Sequence, residues 1–174
     1  MNNPVLQAMK ERRSIKKYSP VQIHDDELEA VLEAGLYAPN GHGLQASLMV
    51  VVQDKETRDQ LSRMNAEIMG IEKDPFYNAP TVVVVFGNTE VRTWLEDATL
   101  SAGNMLLAAP AVGLGGCWIH RARQMFDSEE GKALMRRWGV PENYLGVANV
   151  VLGYAAGTPK PQPERKAGRI IYVR

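Results

Sequence analysis

A mixed-sheet α/β or α+β layer fold, built as one domain, is what this sequence predicts, and three observations predict it. β-branched runs alternate with amphipathic segments along the chain, yet the strands are not spaced as repeated βαβ units. The 174 residues are 45% hydrophobic and 23% charged, ordinary globular usage with enough apolar content for a core that needs no disulfide staples. No internal repeat or low-complexity block divides the chain.

The elements follow in order. Pro4 is accepted in a first helical turn, and Val5, Leu6 and Met9 give a short helix one apolar face ending near Arg13. Ser14 to Tyr18 reads as extended, because the residue before Pro20 is pushed out of the helical region. Asp25 is the expected N-cap of a helix with Leu28, Val31, Leu32 and Gly35 at helical spacing. That helix stops in the turn chemistry of Ala38-Pro39-Asn40-Gly41-His42-Gly43. Leu48 to Val52 reads as a buried strand bounded by Asp54. Lys55 to about Met69 reads as an amphipathic helix with Leu61, Met64 and Ile68 facing in. Pro80 introduces Thr81–Phe86, the clearest central strand. Trp94 to about Ala109 is a long, mostly buried helix, followed by the Gly113–Gly116 turn and a strand at Cys117–Ile119. Ser128-Glu129-Glu130 opens a helix through Trp138, and Val147–Tyr154 is another strand. The proline-rich stretch from Gly157 to Pro163 is extended, with Ile170–Val173 expected as a last strand. Such a tail is longer than a free monomer needs and is expected to wrap a second subunit.

Charge and cysteine content exclude several classes. Twenty Lys+Arg balance twenty Asp+Glu, so neither nucleic acid nor an anionic membrane is the expected target. A single cysteine, Cys117, excludes an internal disulfide framework and a cysteine-based zinc site, and points to a reducing, cytoplasmic setting. Lys10, Glu11, Arg12 and Arg13 follow no apolar run, so no secretory signal is expected. Ala98–Ile119 carries no formal charge, but its glycines, Pro110 and strand-like end read as a buried helix, a turn and a strand instead of a membrane span. His24, His42 and His120 have no ligand spacing, and no metal is expected. A serine-nucleophile elbow and a phosphate loop of the GxxxxGK[ST] type are both absent.

Four segments could carry chemistry. Arg12-Arg13-Ser14-Ile15-Lys16-Lys17 concentrates two guanidiniums, a hydroxyl and ammonium groups where a helix gives way to extended chain, a donor set suited to phosphate. The same cations would equally complement the negative end of the first helix. Ala38–Gln45 lets backbone approach a planar ligand, with Asn40 and Gln45 offering amides to its edge, or is simply a helix stop. Gly113-Leu114-Gly115-Gly116-Cys117-Trp118 precedes a strand and is not the dinucleotide fingerprint. Glu164-Arg165-Lys166 places a basic pair late in the tail. Cys117 is either a nucleophile lacking a placed base or a small buried hydrophobe.

Taken together and in order, RRSIKKY, EAGLYAPNGHGLQ, DATLSAGNMLLAAPAVGLGGCWI and VVLGYAAGTPKPQPERK resemble the nitroreductase-like family of FMN-dependent NAD(P)H oxidoreductases over essentially the whole chain. The resemblance implies an α+β fold with a central mixed or antiparallel sheet flanked by helices, and an intertwined homodimer. Residues 1–174 would form one domain, with 155–174 a C-terminal arm reaching the partner subunit. Arg12, Arg13, Ser14 and Lys16 would hold the FMN phosphate and ribityl chain, with Arg165 and Lys166 closing over the phosphate. Pro39, Asn40 and Gly41, from the other subunit, would line the flavin ring with Gln45 at its edge. Leu114, Gly115 and Gly116 would present backbone to the reactive side, and Asn65 would reach the pyrimidine end. No dedicated catalytic residue is implied, because the cofactor carries the chemistry. NADH or NADPH would reduce the flavin at N5, and a nitroaromatic, quinone or similar small oxidant would take the hydride in a ping-pong cycle. A specialised flavin reaction (dehalogenation or flavin breakdown) and a non-catalytic flavin-binding protein are the alternatives. The sequence departs from the family pattern at the ring edge: Asn40 replaces the usual Ser, Gly43 replaces Asn, and Ala46-Ser47 replaces Pro-Trp.

Overall fold

The computed structural model describes residues 3–174. Its centre is a four-stranded sheet made of β1 (Ser47–Val52), β2 (Thr81–Asn88), β3 (Gly115–Ile119) and β4 (Tyr144–Gly153), in the order β1-β2-β4-β3. Every pairing between strands is antiparallel. Among the described residues a parallel contact occurs only at the margin, where Ser14 bridges Gly116, so the sheet is not mixed. On β2, Val82, Val84 and Phe86 face one side and Val83 and Val85 the other, all fully buried. Because strand side chains alternate, a sheet covered on both faces needs this continuous apolar run.

One face is covered by α2 (Asp25–Leu36) and α4 (Trp94–Ala111), whose Val31, Ala98, Ala102 and Met105 meet Val83, Val85 and Val150. The other is covered by α3 (Lys55–Met69), α5 (Ala122–Asp127) and α6 (Glu129–Trp138), whose Leu61, Met64, Phe126 and Leu134 meet Val82, Phe86 and Val151. Gly35 lets α2 approach α4: an added Cβ would lie 2.9 Å from Met105 Cγ. The short α1 (Pro4–Glu11) buries no residue and is held by its ends, with Asn3 Oδ1 accepting from the Val5 and Leu6 N–H groups.

The bounds of α3 match the sequence reading, because Asp54 accepts from the Thr57 N–H at one end and Gly70 adopts φ 67° at the other. Several expectations are corrected. His24, not Asp25, precedes α2, and its N–H donates to Glu27 at 3.1 Å. Strand β1 is an edge strand, mostly half-buried, because only β2 pairs with it. Ile68 is 41% exposed; the inward stripe of α3 is Leu61, Met64 and Asn65. Helix α5 was not foreseen, being six residues long and entered through Arg121 at φ 78°. Ile170–Val173 forms no strand and lies exposed, with nothing in one copy of the chain to pair with.

Candidate functional site

The extended segment after α1 is fixed before any ligand is considered. Ile15 N–H donates to Gly116 O at 3.1 Å, and Ala156 N–H donates to Lys17 O at 3.0 Å. Tyr18, buried beneath, donates its hydroxyl to Ile15 O at 2.9 Å, and burial pushes that phenol well above its ordinary range. Residues 14–18 are thereby stitched between β3 and the start of the tail. This brings the first and last sequence motifs into one cleft of about 470 Å³, lined by Arg12, Arg13, Ser14, Lys16, Lys17, Lys160 and Arg165 among others, and by no carboxylate. Among the described residues none of these cations enters an ion pair. Lys16 Nζ stands 5.6 Å from the centroid of the Tyr77 ring, which restrains it by a cation–π contact.

Arg13 lines the cleft, but one of its guanidinium nitrogens is committed elsewhere. Its Nη1 donates to the carbonyls of Lys10 (2.9 Å), Glu11 (2.7 Å) and Arg12 (2.9 Å), capping the C-terminus of α1. Lys166 is exposed and does not line the cleft. The sequence reading missed Lys160, which is far from residues 12–17 along the chain and meets them only because the tail returns beside residues 14–18.

Leu114, Gly115 and Gly116 line an adjoining hollow of about 320 Å³ that shares Arg12, Arg13, Ile15 and Pro159 with the basic cleft. Their small size serves the chain itself: a Cβ on Gly115 would fall 2.7 Å from Ile15 Cγ1. Cys117 lies under this floor, 4% exposed. Burial pushes its thiol up, against the opposing pull of the Ser14 hydroxyl, Lys16 and Arg12, so it is not an activated nucleophile.

Pro39, Asn40, Gly41 and Gln45 lie elsewhere, in the loop leading to β1 at the opposite edge of the sheet. Asn40 and Gln45 line a small polar hollow of about 70 Å³ that shares no residue with the basic cleft. Here Asn40 holds the loop closed, its Oδ1 accepting from Gln45 N–H at 3.0 Å and its Nδ2 donating to Ala38 O at 3.3 Å. Gly41 N–H donates to Asp97 Oδ1 at 3.0 Å, an anchor that sequence reading did not identify. Asn65 joins neither region. It is fully buried on α3, donating to His120 O at 2.7 Å, so the expected contact at the pyrimidine end is corrected: no surface is left to it.

Among the described residues no group of three or more His, Cys, Asp or Glu could hold a metal ion, and no helix is long and apolar enough to cross a membrane. The arrangement is a basic, carboxylate-free cleft, a glycine-floored hollow beside it that Glu11, Arg12 and Arg13 also line, and an amide-bearing loop on the far edge. Known proteins share the fold. A nitroreductase with bound FMN from Bacteroides fragilis superposes with a TM-score of 0.91 at 32% identity, covering 99% of this chain and 100% of that one. A second, from Desulfitobacterium hafniense and also with bound FMN, gives 0.89 at 28% identity over the full length of both. In sequence, a relative from Archaeoglobus fulgidus is 33% identical over 149 residues, 82% of this chain and 80% of that protein. The NADPH-flavin oxidoreductase of Vibrio harveyi is 28% identical over 185 residues, 99% of this chain and 74% of that protein. With the family model matching residues 9–154, from the end of α1 through β4 to the root of the tail, the chain belongs to the Nitroreductase family.

Proposed function

We propose that the protein is an FMN-dependent NAD(P)H oxidoreductase that passes a hydride from NADH or NADPH to a nitroaromatic, quinone or similar small oxidant by a ping-pong mechanism. The observation that carries this reading is the carboxylate-free cleft joining Arg12, Ser14 and Lys16 to Arg165 of the tail. That donor set fits a phosphate monoester: guanidinium forks match its oxygens, a hydroxyl adds a neutral donor, and lysine adds compact charge. FMN, when bound, supplies a centre that accepts a hydride from the nicotinamide and yields it to the second substrate.

Within this reading, Arg12 and Arg165 grip the phosphate from two sides, Ser14 donates to it, and Lys16, restrained by Tyr77, neutralises it. Arg13 keeps the end of α1 in register, so that Arg12 points from a fixed helix terminus. Leu114–Gly116 bound the hollow that continues from the cleft. The proposed assembly is a homodimer in which residues 155–174 reach the partner subunit. Its support is that the Pro39–Gln45 loop and the basic cleft lie on opposite edges of one sheet. Three strand spacings, roughly 14 Å, separate those edges within one copy. The exposed Ile170, Ile171, Tyr172 and Val173 are further support, since a free tail gains nothing from such residues.

The test is an absorbance spectrum of the fresh protein before and after anaerobic NADH or NADPH. A flavin band that bleaches supports the reading, and parallel lines in initial-velocity plots against a quinone support the ping-pong order. A colourless protein that takes up no added FMN refutes it. Light scattering in solution decides between one copy and two.

A further inference from the structure

We infer that Asp97 is a positioning residue for the flavin ring, acting through the Pro39–Gln45 loop without touching the ring itself; this rests on the FMN reading above. The loop is costly to hold. His42 at φ 53°, Gly43 at φ 70° and Gln45 at φ 50° are all in the left-handed region, which residues other than glycine rarely adopt. The Asn40 hydrogen bonds close the loop on itself but do not attach it to the body of the protein.

Attachment comes from one face of α4. Asp97, Ser101 and Asn104 stand four and then three residues apart, the spacing of a single helical stripe. Ser101 Oγ donates to Gly35 O at 3.0 Å and Asn104 Nδ2 donates to Ala34 O at 3.0 Å, fixing the last turn of α2. Asp97 continues the stripe to the loop, accepting from Gly41 N–H at 3.0 Å with one oxygen and from the Thr93 hydroxyl at 3.1 Å with the other. The Gly41 N–H can only donate, so an acceptor is what the position requires on that side, whereas the Thr93 hydroxyl can donate or accept.

The approach is close enough to fix the height of the loop as well as its direction. A Cβ on Gly41 would lie 2.2 Å from Thr93 Oγ1, so the backbone rests directly on that side chain. Asp97 is 3% exposed and, among the described residues, enters no ion pair. Its compensation comes from these two donors and from its place in the first turn of α4, where the helix dipole favours negative charge. A buried carboxylate without a cation is expensive, and here its work is to hold a loop expected to line the ring.

The test compares the full-length wild type with Asp97→Ala, Asp97→Asn and Thr93→Val in FMN affinity, the visible spectrum at saturating FMN, and melting temperature. Asp97→Ala is expected to weaken FMN about tenfold and move the bound spectrum towards that of free flavin, since Gly41 loses its buried acceptor. Asp97→Asn keeps an acceptor for Gly41 and is expected within about threefold of wild type, with the bound spectrum restored. Arg12→Ala, acting at the phosphate, is expected to weaken FMN while leaving the saturated spectrum unchanged. Wild-type affinity and spectrum in Asp97→Ala overturn the inference. So does an equal loss of affinity and melting temperature in both Asp97 variants with an unaltered spectrum. Should Asp97→Ala fail to fold, Thr93→Val removes one donor at nearly constant volume, and an unmoved spectrum there overturns it. A wild-type protein that takes up no FMN refutes the function itself.

Discussion

Arg12 and Arg13 are neighbours in sequence, yet the structure gives them different tasks, and separating them by mutation tests the whole phosphate end. Arg12 faces the cleft with no internal ion pair. A charge-assisted hydrogen bond to phosphate is worth about 1.5–3 kcal/mol, and the cleft is open to solvent, so the lower half of that range applies. Arg12→Ala should therefore weaken FMN about 10- to 50-fold. Arg12→Glu adds a carboxylate against the phosphate and should abolish retention of FMN through purification. Arg13 instead spends its Nη1 on three carbonyls at 2.7–2.9 Å at the end of a helix that buries nothing. Its loss should fray α1 at a cost of about 0.5–1 kcal/mol and change FMN affinity by less than about threefold. The assay is quenching of FMN fluorescence by apo-protein at fixed ionic strength, with amide exchange of α1 measured in parallel. Equal loss of affinity in the two alanine variants would refute the division of labour.

Three further outcomes follow from the geometry. Gly131→Ala places a Cβ 2.1 Å from Met125 O and 2.6 Å from Phe126 Cα, both backbone, so the corner between α5 and α6 must open; a loss of about 2–3 kcal/mol is expected, read as a melting temperature lowered by about 5–10 °C, and an unchanged value contradicts the packing described. Burial raises the Asp74 carboxyl, but donors from Ser62, Arg58, Asn78 and Phe76 outweigh it and leave it below the usual carboxylate range. Its stabilisation is present above the unfolded-state value and is lost as pH falls through the folded one, so Asp74→Asn should flatten the acid limb of stability below about pH 4; parallel limbs in the two proteins would show that Asp74 does not contribute. Cys117, buried and with its thiol pushed up, should resist iodoacetamide in the folded protein, and Cys117→Ser should reduce flavin normally; rapid alkylation that stops flavin reduction would restore a cysteine mechanism.

The parts of the fold that could be read in one dimension are those whose determinants are local. Thr81–Val85 announced itself because a strand covered on both faces must be apolar throughout. Helix α3 could be placed from its apolar spacing, and local residues fix its ends, Asp54 accepting from the Thr57 N–H and Gly70 adopting the left-handed conformation. The direction of the strands could not, since antiparallel and parallel partners place the same demands on a doubly covered strand; the order β1-β2-β4-β3 exists only after the crossovers through α4, α5 and α6. The same division runs through the site. Arg12, Ser14 and Lys16 were legible because they are close together in sequence, whereas Lys160 reaches them through a returning tail.

Asn65 and Asp97 show what limited the reading at the ring end. Both are polar residues on the inward stripe of a helix; the family resemblance assigns Asn65 to the ligand, and Asp97 carries no role in the sequence reading. Asn65 shares its stripe with Leu61 and Met64, and its amide donates to His120 O, where the chain turns into the left-handed Arg121. Asp97 shares its stripe with Ser101 and meets Gly41, 56 positions earlier, beside another left-handed turn. In each case an irregular loop leaves a backbone group without a partner inside the protein, and a side chain on a regular helix supplies one. The partner that matters is complementary in kind: an amide donor for the His120 carbonyl, a carboxylate acceptor for the Gly41 N–H. The amino acid type therefore states which backbone group it serves, but only the fold states where that group is. For Asn65 the group is the carbonyl just before α5, and for Asp97 it is an N–H of the loop that the family resemblance assigns to the flavin.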